Sequence, residues 1–387
     1  MSGRDETGER GSGLYQAFGG KASCRRLAVA FYARVERDPV LRPLFPGKTF
    51  TCAIEEFAAF LAQFLGGTGA DAERRWWLSL HGSHQRFPIG QRERDAWMRH
   101  MEQAVDEVQI EEPVRSGLLS FFRRSSAYVI NRGPASFPEK VWTDAAHDGT
   151  HREISRRWER QRRLDEAVAA IRCGDAGRAI TLAGGPALQS CDRAVLAGLF
   201  ALMIRSGHSV LLDYVQERLT HDPAIAWERY AGRTLLHEAA AAASLPTVEF
   251  LLSLGADPDA TDGGEHTPLY SVGNGCLLAG GADVVRALVR QGAKVNAHQG
   301  PKHCTALHMA ARRGNVEVAA ALLDCGADIE ARDSLGETPL RRAVNCDKVE
   351  LAALLVCRGA DIHSLGSRNR TPYLAARSTA MKRLLQT

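Results

Sequence analysis

Along the N-terminal third of the chain, apolar residues recur at three- and four-residue spacing, broken by short glycine or proline stops. That pattern predicts a run of helices. One begins after Gly19-Gly20, carries Cys24, Leu27, Ala28, Phe31 and Val35, and ends at Asp38-Pro39, where the proline disfavours a helical predecessor. A second follows Thr51, presents Ile54, Phe57, Ala58, Leu61 and Leu65, and stops at Gly66-Gly67; it is aromatic enough to line a large flat ligand. A short segment from about Glu73 to His84 is stopped by Phe87-Pro88. The helix from Gln91 then carries Trp97, Met101, Ala104, Val105 and Val108, and the last, after Pro113, shows Leu118, Phe121, Phe122, Ser125 and Val129.

The C-terminal half has a different order, a repeat. Similar phrases open at Thr234 (TLLHEAA), Thr267 (TPLYSV), Thr305 (TALHMAA), Thr338 (TPLRRAV) and Thr371 (TPYLAA), at spacings of 33, 38, 33 and 33. A second phrase closes each unit: Gly255-Ala256-Asp257, Gly292-Ala293-Lys294, Gly326-Ala327-Asp328 and Gly359-Ala360-Asp361. Thr caps a helix N-terminus through its hydroxyl, Pro is tolerated at the first helical position, and Gly ends a helix in a left-handed conformation. These residues resemble the ankyrin repeat. Apolar sets such as Val318, Ala319, Leu322 and Leu323 give each unit a face that only a neighbouring unit can cover. Gly174-Asp175 and Gly207-His208 repeat the inter-helix turn of Gly314-Asn315, which predicts two degenerate units upstream. Extra residues around Gly273 to Gly281 should bulge as a loop, and His237 and His308 read as motif histidines that hydrogen-bond neighbouring repeats.

In the N-terminal region the blocks LYQAFGG, AFYARVERDPVLRPLFPG, FLAQFLGG, HQRFPIG and ERDAWMR follow one another in order over residues 14 to 131. Together they resemble the group II truncated haemoglobins, a family with a two-on-two helical sandwich around haem. The resemblance implies haem b, with iron held by His84, the histidine of the H-x-x-F phrase. His81, three residues earlier on roughly the same face, is the local competitor. It also places the distal tyrosine at Tyr32 and the distal tryptophan at Trp97, both able to donate a hydrogen bond to a bound diatomic. The position that often holds a distal His or Gln falls on Ala53, which offers no polar atom. Phe45 corresponds to the aromatic wedged against the haem, with Phe57, Phe87 and Ile89 completing the apolar walls. Where many relatives read Gly-His-Pro before the proximal helix, this chain has Trp76-Trp77-Leu78, so Arg75 is a substitute partner for the propionates.

The expected fold class is therefore all-α: a truncated globin domain over 14–132, a linker and basic helix over 133–164, degenerate ankyrin-like repeats over 165–231 and ankyrin repeats over 232–387, the two repeat regions forming a helical solenoid. At 387 residues and 45% hydrophobic, the chain can bury more than one core. Its longest unbroken apolar run, Leu196 to Ile204, is far short of the ~20 residues of a membrane helix, and Met-Ser-Gly-Arg-Asp-Glu does not resemble a signal peptide. A cytoplasmic protein without a membrane partner is expected. Nine cysteines without a CxxC pair fit reduced thiols better than a disulfide or zinc framework. The net charge of +4 is mild; the arginines of His151 to Arg163 read as a solvated helix face ahead of a nucleic-acid surface.

The function that follows is reversible binding of oxygen, and of NO or CO, at the His84-ligated iron, coupled to a protein-binding array and serving as a gas or redox sensor. Coordination rather than catalysis is expected, with NO-dioxygenase or peroxidase-like side activity left open. The alternative is an interaction scaffold whose globin domain has lost haem.

Overall fold

The structure, a computed structural model, describes residues 13–45, 47, 49–67, 79–132, 149–189, 191–275, 279–366 and 369–386. Among these residues every regular element is a helix, and β-pairing is confined to two isolated bridges, Tyr230 with Arg233 and Gln299 with Cys304. The chain divides into two compact units, the first ending at Cys191 and the second beginning at Asp192.

In the first unit the helices are α1 (Gly13–Phe18), α2 (Gly20–Val35), α3 (Thr51–Leu65), α4 (Leu80–His84), α5 (Gln91–Val108) and α6 (Val114–Tyr128). Their ends match the chemistry of the sequence. Gly66, at φ 94°, takes the left-handed turn that closes α3 and donates its N–H to Ala62 and Gln63. Glu93 accepts the Gly90 N–H at 2.9 Å, which fixes the start of α5. α2 packs against α3 and α5, and α5 against α6, which makes the two-on-two sandwich. Phe31, Leu27, Leu61, Leu65, Met101, Leu118, Phe121 and Phe122 are almost fully removed from solvent in its core.

A further helix, α7 (Gly149–Cys173), lies across this sandwich against α3, α4 and α6, and is followed by α8 (Ala176–Ala183) and α9 (Pro186–Gln189). The division expected between residues 164 and 165 falls inside α7, because Gly174, at φ 78°, is the first residue that lets the chain turn. One face of α7 is buried, through Ile154, Trp158, Gln161, Leu164, Asp165 and Val168. Trp158 stands edge-on to Phe121 and Tyr128 at centroid distances of 5.7 and 5.5 Å. The arginine-rich face pairs mainly with its own helix: Arg157 with Glu153 at 2.8 Å, and Arg163 with Glu159 at 3.0 Å and Glu166 at 3.2 Å. The basic run is thus a partly neutralised outer face, although Arg157 also reaches the Phe64 carbonyl at 3.0 Å.

The second unit stacks helices in two rows. Its inner row is α10 (Arg193–Ser206), α12 (Leu235–Ala241), α14 (Pro268–Gly275), α16 (Ala306–Arg313), α18 (Pro339–Asn345) and α20 (Pro372–Ala375), each packed on the next. The second row is α11 (Ser209–His221), α13 (Leu245–Ser253), α15 (Gly281–Arg290), α17 (Val316–Asp324), α19 (Val349–Cys357) and α21 (Thr379–Leu384). His237 Nε2 donates to the His266 carbonyl and His308 Nε2 to the Glu337 carbonyl, each at 2.9 Å and one repeat further on. The expected loop around Gly273 to Gly281 divides between the end of α14, the start of α15 and residues outside those described.

Candidate functional site

A cavity of about 770 Å³ opens into the sandwich, within the roughly 300–1,000 Å³ of small-molecule and cofactor sites. All eight residues singled out from the sequence line it: Tyr32, Phe45, Ala53, Phe57, His84, Phe87, Ile89 and Trp97. They come from α2, the segment after Arg42–Leu44, α3, α4, the turn before α5, and α5 itself.

His84 ends α4, and its ring is fixed by its own helix. Nδ1 lies 2.7 Å from the Leu80 carbonyl oxygen and 3.0 Å from Ser83 Oγ. A carbonyl only accepts, so Nδ1 carries the proton and the lone pair sits on Nε2. Burial lowers the pKa of His84, which keeps the imidazole neutral near pH 7, as a metal ligand must be. His81 points elsewhere: its Nδ1 lies 3.2 Å from the Tyr128 carbonyl, its ring faces the Tyr128 ring, and it does not line the cavity.

Tyr32 stands edge-on to Phe45 and Phe57, with interplanar angles of 88° and 85°. Trp97 packs against Phe31 at 5.2 Å and Phe122 at 5.7 Å between centroids. Burial, and secondarily Glu56, pushes the Tyr32 phenol far above its ordinary value, so it is a neutral donor at every physiological pH. Ala53 leaves this side without a polar group at its position, and Phe50 adds a wall beside Tyr32 at 5.3 Å.

Arg75 and Trp76-Trp77-Leu78 lie outside the described residues. The structure brings two other cations to the cavity that the sequence did not flag, Arg86 and Arg94. The Arg86 guanidinium sits 4.8 Å over the Phe87 ring, while Arg94 Nε is buried with no hydrogen-bond partner among the described residues. Arg86 immediately precedes Phe87, so its position beside the proximal phrase was a readable signal; Arg94 sits in a run of charges and gave none. A neutral imidazole of fixed tautomer, apolar aromatic walls and an orphaned buried guanidinium nitrogen fit a flat iron macrocycle bearing carboxylates. His84 would hold the metal, while Arg86 and Arg94 would face the acidic edge.

A helical sandwich enclosing an aromatic cavity with one inward imidazole, followed by stacked helix pairs, defines a globin joined to ankyrin repeats. The family described as bacterial-like globin matches residues 13–131, ankyrin repeats in three copies match 275–365, and a further ankyrin repeat matches 231–263. The group 2 truncated hemoglobin YjbI of Bacillus subtilis is 31% identical over 121 residues, 31% of this chain and 90% of that protein. Two-on-two hemoglobin-3 of Arabidopsis thaliana is 26% identical over 107 residues, 27% of this chain and 61% of that protein. The human ankyrin repeat and SOCS box protein 16 is 35% identical over 115 residues, 30% of this chain and 24% of that protein. The chain belongs, through its N-terminal domain, to the group 2 truncated haemoglobins.

Proposed function

We propose that the N-terminal domain binds haem b through His84 Nε2 and reversibly takes up oxygen, and also NO or CO, on the side lined by Tyr32 and Trp97. The bound group supplies an iron with one open coordination position. The chain does the rest: the Leu80 carbonyl holds the His84 proton on Nδ1, and Tyr32 and Trp97 offer hydrogen bonds to a ligand that gains negative charge. Phe45, Phe57, Phe87 and Ile89 exclude water from the reacting face. The observation that carries this reading is the single neutral imidazole, of fixed tautomer, at a cavity of cofactor size.

The second unit is proposed to dock a protein partner, so that ligand state and partner binding are linked as in a sensor. The protein would work in the cytoplasm, in keeping with nine cysteines that carry no CxxC pair. Among the described residues no helix is long and apolar enough to cross a membrane.

Absorption spectra of the full chain and of His84→Ala, in ferric, reduced and CO-treated forms, test the reading. A Soret band that responds to reduction and CO, and is lost or altered in the variant, is the expected result. Absence of stoichiometric haem from the wild type points instead to an interaction scaffold.

A further inference from the structure

The peptide group between Leu80 and His81 is hydrogen-bonded at both ends. Its carbonyl accepts from His84 Nδ1 at 2.7 Å. Its N–H donates to Asp165 Oδ2 at 3.2 Å, and the N–H of Leu80 donates to Asp165 Oδ1 at 2.7 Å. Asp165 lies on α7, beyond the residues that match the globin family, and is only 3% exposed. Gln161 Nε2 donates to it at 2.9 Å, so with the two amides the side chain accepts three hydrogen bonds, as a carboxylate does. The third amide of α4, that of Gly82, is taken by Ser79 Oγ at 2.8 Å. The first turn of the helix that carries the proximal histidine therefore depends on a carboxylate supplied from outside the globin sequence.

We infer that Asp165 is a positioning residue for His84, acting through the Leu80–His81 peptide. This inference rests on the haem reading. A negative charge accepting from a peptide N–H makes the carbonyl of the same peptide a stronger acceptor, because hydrogen bonds in series polarise one another. That carbonyl then draws the Nδ1 proton more strongly and makes Nε2 a better electron donor to iron. Asp165 also clamps the backbone from which the ring hangs, so electronic tuning and orientation come from the same side chain. Because it sits on α7, a displacement of α7 would alter the proximal ligand without touching the cavity.

The test uses the full-length protein loaded with haem, and reads the iron–histidine stretching band of the reduced form by resonance Raman. Asp165→Asn, which keeps the shape and removes the charge, shifts the band to lower frequency and speeds haem loss to an acceptor globin by about 10-fold or more. Asp165→Glu, which keeps the charge, brings the band back most of the way to the wild-type frequency. Gln161→Leu removes a donor that competes for the same carboxylate, so it moves the band the other way; this variant serves should Asp165→Asn fail to fold. Faster haem loss with the band unmoved makes Asp165 purely structural and overturns the inference, as does an unmoved band in Gln161→Leu. A wild type with bound haem but no such band removes His84 as the iron ligand and this inference together, whereas a normal wild-type band unaffected by all three substitutions removes only this one.

Discussion

Gly273, in α14, lies against the carbonyl of Ala306 in α16: a Cβ at that glycine would sit 2.6 Å from the oxygen. Only hydrogen allows the two helices of the inner row to approach this closely. Gly273→Ala must push backbone apart rather than a flexible side chain, so it should destabilise the repeat unit by about 1–3 kcal/mol. Urea unfolding followed by circular dichroism checks it: the midpoint falls while the slope stays constant.

Tyr32 gives the second expectation. Tyr32→Phe removes the phenolic donor and keeps the ring among Phe45, Phe50 and Phe57. A hydrogen bond to a partly charged ligand is worth about 1.5–3 kcal/mol, so oxygen should leave the variant roughly 10-fold faster or more, by stopped-flow measurement. Because burial holds the wild-type phenol protonated, its dissociation rate should not change between neutral and moderately alkaline pH. An off-rate unchanged by the substitution would remove Tyr32 from ligand stabilisation.

Much of this site was legible in the sequence. Periodicity and the stops at Gly66-Gly67 and Asp38-Pro39 mark α2 and α3, because a helix facing a core must repeat and glycine in a left-handed turn must end it. The cavity residues were legible only through the ordered blocks of the family resemblance, since Phe45 or Trp97 taken alone reads as ordinary core. Asp165 was not legible. An acidic residue just beyond a basic run reads as surface, and nothing local marks its bonds to amides 84 and 85 residues away. The buried face of α7 was hidden for a related reason: Ile154, Trp158 and Val168 are diluted among arginines that cover the same helix.

The repeat unit should weaken in acid through His237 and His308. In each, Nδ1 accepts from the N–H of its capping threonine, Thr234 at 3.3 Å and Thr305 at 3.2 Å. A proton on Nδ1 would set two donors against each other, and burial opposes the charge as well; burial is the larger reason both pKa values lie below the ordinary 6.5. The unfolded chain then binds more protons than the folded one near and below pH 6.5, so stability is full above that value and is lost as pH falls through it. Lowering the pH from about 7.5 to about 5.5 should reduce the urea midpoint, and His308→Gln should flatten the dependence. A midpoint equally pH-dependent in that variant would assign the effect to other groups.

Cutting the chain after Arg132 would leave a globin of its family's length with an open flank. Gly117, beside which a Cβ would sit 2.5 Å from Ile154 Cδ1, is shaped to receive α7, and Phe121 and Tyr128 meet Trp158 there. Such a fragment would show water a hydrophobic trough and two unsatisfied amides at Leu80 and His81. It would tend to self-associate and to release its prosthetic group, so a preparation for study should extend at least through Cys173.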